Sequence, residues 1–232
     1  MCTHKIRGAV MTSSSSGADH GDEDTAPPFM RAVAAMRKHL TDADVIVVAL
    51  QALGELSKDA ETYWRLAEAG ACELVMAAMR KHLTDAGVMG QAMKAIATLA
   101  CFNEFRRRLA EVGVCELVVA AMRDHLTDAG VMGQALKALW MLGLDDETCR
   151  RLAGAGACEV FVAAVRKHPT DAGVMGQVME ALRELANFDE TRRGLVEAGA
   201  CKLVVAAMRD HLTDAGVMRQ AMRALCELRA IA

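Results

Sequence analysis

Five histidines, each followed three residues later by an aspartate, are the residues of this chain whose type and spacing first suggest chemistry. His39, His82, His125, His168 and His211 each open the pattern His-[Leu/Pro]-Thr-Asp-Ala, and His-x-x-Asp resembles half of a general-base pair. Cysteine adds soft ligands: of eight in the chain, Cys72, Cys115, Cys158 and Cys201 recur at the same 43-residue step as the histidines, while Cys2, Cys101, Cys149 and Cys226 do not. Repetition argues against both kinds of site. Equivalent positions on stacked helices lie about 8 to 10 Å apart, whereas nitrogens sharing a zinc must each sit about 2.0 to 2.1 Å from it. A disulfide needs Cα atoms about 4.4 to 6.8 Å apart. The histidines read instead as cations favouring a helix C-terminus, with each aspartate capping the next helix. The periodic cysteines read as small buried hydrophobes, and Cys149 is the thiol expected to be exposed. No phosphate-binding loop, dinucleotide fingerprint, zinc-protease or nucleophile-elbow motif occurs. No catalytic residue, metal site or cofactor is expected, and the chain does not read as an enzyme.

What must position these residues is a repeat. The same 43-residue step separates Gly70, Gly113, Gly156 and Gly199, and no insertion breaks it. Each unit reads as three helices. A short one, such as Glu147–Ala155, ends at the glycine, a suitable left-handed terminator. A second runs from the cysteine to the histidine, its Leu117, Val118, Ala121 and Met122 forming an apolar face. Thr127 and Asp128, or their equivalents, cap a third whose Val131, Ala135, Ala138, Leu139 and Leu142 form another stripe. Composition agrees: 53% of the 232 residues are hydrophobic but only 3% are aromatic, so Ala, Val, Leu and Met dominate, which suits closely packed helices.

The segments LAEAGACELVMAAM, LAEVGVCELVVAAM, LAGAGACEVFVAAV and LVEAGACKLVVAAM resemble the armadillo consensus joining first and second helices, and AMKAIATLA, ALKALWMLG and VMEALRELA resemble its third helix. The expected fold is all-α, a right-handed α-solenoid of about five armadillo-type repeats. They cover residues 29–232: a partial repeat at 29–58, then 59–101, 102–144, 145–187 and 188–232. Residues 1–26, with a serine run and acidic residues, read as a disordered tail. The resemblance implies that third helices line a concave groove in which a repeated Asn, often preceded by Trp, holds a peptide backbone. Here the Asn position is Glu55, Thr98, Met141, Glu184 and Glu227, and the Trp position is Gly54, Ala97, Trp140, Arg183 and Cys226. Four residues back lie Gln51, Lys94, Lys137, Glu180 and Arg223. Seven back lie Val48, Gln91, Gln134, Gln177 and Gln220. The four glutamines form a ladder whose amides could bond a ligand's main chain in place of the asparagines, or simply favour helix on a solvated face. Trp140 is either an interface anchor or a space-filling core aromatic.

The sequence thus points to a non-catalytic interaction scaffold, with a peptide or partner domain along the groove at Gln91, Lys94, Gln134, Lys137, Trp140, Met141, Gln177, Glu180, Arg183, Glu184, Gln220 and Arg223. Neither end carries a plainly polar capping repeat, so end-to-end self-association, or origin as a piece of a longer repeat protein, is the alternative. A small molecule lodged near Trp140 and Cys226 is a second. The net charge of −3 gives no reason to expect nucleic acid or an anionic membrane as partner. No apolar run approaches the roughly 18 to 20 residues that span a bilayer. Reduced cysteines suit a cytoplasmic or nuclear compartment.

Overall fold

The computed structural model describes residues 26–57 and 59–229, so nearly all of the segment expected to be a disordered tail lies outside the described residues. Fourteen helices and no strand occur among them, and none of the helices is long and apolar enough to cross a membrane. The chain divides into two compact units, Met1–Val112 and Gly113–Ala232. The first holds α1 (Pro28–Lys38), α2 (Ala43–Leu56), α3 (Ala60–Glu68), α4 (Ala71–Lys81), α5 (Ala86–Leu99) and α6 (Asn103–Glu111). The second holds α7 (Val114–Asp124), α8 (Ala129–Leu142), α9 (Asp146–Gly154), α10 (Ala157–Lys167), α11 (Ala172–Leu185), α12 (Asp189–Glu197), α13 (Ala200–Asp210) and α14 (Ala215–Arg229). Helix types follow the expected order, with boundaries within one or two residues of those read from the repeat.

Local chemistry sets the ends. Asp42, Asp85, Asp128, Asp171 and Asp214 each accept a hydrogen bond at Oδ1 from the amide three residues on, at 2.9 to 3.2 Å. This satisfies one of the orphan donors at the start of α2, α5, α8, α11 and α14. The four periodic glycines have φ between 77° and 89°, a left-handed conformation that reverses the chain between first and second helices and that a Cβ would strain.

Inter-repeat bonds then join neighbouring copies within each unit. The histidines do more than favour a helix dipole. His82 Nε2 donates to the Leu40 carbonyl at 2.7 Å in the first unit; in the second, His168 bonds Leu126 at 2.8 Å and His211 bonds Pro169 at 2.7 Å. Each imidazole therefore reaches back to the turn of the preceding repeat. Arginines reach forward: Arg37 Nη2 donates to Ala69 O at 2.7 Å, Arg80 to Val112 O at 3.1 Å and Arg123 to Ala155 O at 3.1 Å. The acceptors are C-cap carbonyls of the next first helix, where a cation is favoured.

The core of each unit lies between second and third helices, with third helices stacked directly: α2 against α5, α8 against α11, and α11 against α14. Met76, Met79, Met89, Met93, Leu136, Leu139, Met175 and Met179 are fully buried. Burial of such a side chain is worth about 1.5 to 3 kcal/mol. In the first unit, Tyr63 is also buried, its hydroxyl donating to Leu99 O at 3.1 Å and its ring lying 3.8 Å from Phe102 and 4.1 Å from Phe105.

Candidate functional site

Third-helix residues four and seven positions apart share a helix face, so the expected binding residues are positioned by α5 in the first unit and by α8, α11 and α14 in the second. Gln91, Gln134, Gln177 and Gln220 are all half-buried. Gln177 packs over Gly133 of α8: a Cβ on that glycine would stand 3.0 Å from its Oε1. Bare backbone at position 133 thus lets the amide lie flat on the preceding third helix. The side-chain oxygens of Gln91, Gln177 and Gln220 are buried and make no hydrogen bond, and neither does the buried Nε1 of Trp140. A buried polar atom left unpaired costs about 1 to 3 kcal/mol, so these four atoms are hydrogen-bonding groups that the described residues leave unsatisfied.

The charges divide into spent and unspent. Lys94 faces Glu55 at 4.0 Å in the first unit. In the second, Arg183 bonds Glu184, which also accepts from Asn187 at 3.1 Å. Lys137 and Arg223 are exposed and make no ion pair among the described residues. Met141 and Trp140 are half-buried.

Sequence reasoning missed several residues here. The indole that stands 52% exposed is Trp64, on α3 and outside the third-helix face, edge-on to Tyr63 at 5.7 Å. Arg219 and Met222 on α14 join Arg183, Arg223, Cys226 and Glu227 around an open pocket of about 520 Å³. The signal for Arg219 was legible, because it breaks the column Gly90, Gly133, Gly176. Cys149 was expected to be exposed and is fully buried: its thiol meets Thr191 Oγ1 of the next first helix at 3.0 Å. Among the described residues, the exposed thiols are Cys101 and Cys226. Burial pushes the thiols of Cys72, Cys115 and Cys158 up to about 12, which keeps them protonated and unreactive. Cys115 and Cys158 lie within 3.9 and 3.8 Å of the Thr148 and Thr191 carbonyls. Among the described residues, no three His, Cys, Asp or Glu side chains gather as metal ligands would.

No protein-family model matches the sequence, and no curated protein sequence does. Solved structures do match. An engineered protein superposes with a TM-score of 0.77 at 25% identity, over 88% of this chain and 80% of that one. A designed armadillo repeat protein in complex with the peptide (KR)4 superposes with a TM-score of 0.72 at 25% identity, over 98% of this chain and 91% of its own. The chain is an armadillo-repeat solenoid. A structure from work on the interaction between cadherin and β-catenin shares the armadillo fold, with a TM-score of 0.73 at 16% identity. It matches 97% of this armadillo chain but only 42% of its own length.

Proposed function

We propose that this armadillo chain is a non-catalytic binding module that takes an extended peptide along the third-helix face of its second unit, with Trp140, Gln134, Gln177 and Gln220 as the main-chain contacts. One observation carries the reading: in the second unit the Trp140 indole nitrogen and the amide oxygens of Gln177 and Gln220 have no hydrogen-bond partner. An extended peptide offers a carbonyl and an N–H at every residue, the complement such a row lacks. A ladder of amides takes the place of the asparagines that the armadillo pattern would put seven residues, about two turns, further on. The designed armadillo protein in complex with (KR)4 supports the assignment, because its fold matches over nearly the whole chain. The test is binding of labelled peptides by fluorescence anisotropy to wild type and to Trp140→Ala/Gln177→Ala. Each lost contact is worth about 0.5 to 1.5 kcal/mol, so the double variant is expected to bind about 5- to 150-fold more weakly. Unchanged affinity in a variant with wild-type circular dichroism would move the site off this face.

A further inference from the structure

The C-terminal end of the third-helix face in the second unit departs from the repeat in one direction. Arg219 replaces the glycine found at 90, 133 and 176. Arg223, one turn further along α14, is also exposed, and neither guanidinium makes an ion pair or hydrogen bond among the described residues. Between them stands Met222, 57% exposed. These three residues, with Arg183, Cys226 and Glu227, line the open pocket. Arg183 is already engaged by Glu184. Glu227 is the one carboxylate in the lining, so two unengaged arginines face a single acid across about 520 Å³.

We propose that this end of the face selects an acidic peptide whose carboxylates are interspersed with apolar residues. The inference rests on the peptide-binding reading above and names its ligand class. An arginine fork matches a carboxylate in two parallel N–H···O bonds. Arginines at i and i+4 project from the same side of a helix, and a side chain set between the peptide's acids would cover Met222. A basic peptide meets two like charges here and is disfavoured.

The experiment measures anisotropy of labelled (Glu-Glu-Leu)3, (Ser-Ser-Leu)3 and (Lys-Arg)4 against the full chain, and repeats each with Arg219→Gln/Arg223→Gln and with Trp140→Ala/Gln177→Ala. Both arginines are exposed, so the variant is expected to keep its fold, which a thermal melt verifies. The expected result is tightest binding of (Glu-Glu-Leu)3, weakened at least tenfold by the arginine pair of substitutions and by raised salt. Equal binding of the neutral or basic peptide, or unchanged affinity in the arginine variant, would overturn the proposal. If in that case Trp140→Ala/Gln177→Ala still abolishes binding, the peptide face stands and only its acidic preference falls. Acidic binding that needs the arginines but not Trp140 and Gln177 would support the pocket and remove the ladder. No binding by any of the three peptides would overturn both.

Discussion

At the scale of single residues, the columns that looked most like chemistry turn out to hold neighbouring copies together. A histidine side chain bonding the carbonyl one repeat earlier is a small contribution repeated down the chain. His168→Ala removes the 2.8 Å bond to Leu126 and is expected to lower stability by about 1 to 2 kcal/mol, seen as a lower urea midpoint with unchanged slope. The thiols make a pH prediction. Cys72, Cys115 and Cys158 titrate near 12 in the folded chain against an ordinary value of 9.0, so between those values the unfolded chain has lost protons that the folded chain keeps. Stability is therefore complete below pH 9 and falls as pH rises towards 12, by about 1.4 kcal/mol per pH unit for each thiol. Urea midpoints across that range should fall more gently in Cys115→Ala than in wild type. In the folded chain at neutral pH, a thiol reagent mapped by mass spectrometry should label Cys101 and Cys226 and spare Cys72, Cys115, Cys149 and Cys158.

At the scale of elements, the first helix, the glycine and the second helix behave as one joint. All four glycines share the left-handed conformation, but their surroundings differ: a Cβ at Gly156 would run into Arg123 Nη2, whereas one at Gly199 meets nothing within 4 Å. Gly199→Ala should cost the backbone strain alone, about 1 to 2 kcal/mol. Gly156→Ala should cost more, because it also displaces the arginine that caps Ala155. Equal losses for the two in urea unfolding would mean that the Arg123 contact contributes nothing. The capping aspartates and hinge glycines were legible in the sequence because both act within three or four residues of themselves.

At the scale of the whole molecule, one bare third-helix position sets a close approach: Gly133, since a Cβ at Gly90 or Gly176 would meet nothing within 4 Å. Gln177 lies on Gly133 because glycine leaves room for it. On α14 the same column carries Arg219, which is exposed. Arg219→Gly is expected to increase concentration-dependent association in sedimentation velocity, since it removes a charge from the helix face that carries the exposed Met222. A variant as monomeric as wild type would show that Arg219 does not guard that face.

The order of helices, their caps and the armadillo fold were legible in the sequence because a 43-residue period repeats the same local signals, and a register shared by four or five copies cannot arise from one chance match. Burial of single residues was legible where the repeat columns were aligned: Cys149 shares its column with the buried Tyr63 and Arg106, whereas Trp64 shares its column with the exposed Arg107, Arg150 and Arg193. The partner was not legible, because the thiol of Cys149 meets Thr191 of the next repeat. The same holds for the candidate site: the armadillo resemblance names Trp140 and spacing back from its motif names the glutamines, but which of their polar atoms lack partners is decided only once third helices are stacked. Packing between copies decides which polar groups are satisfied internally and which are left for a partner.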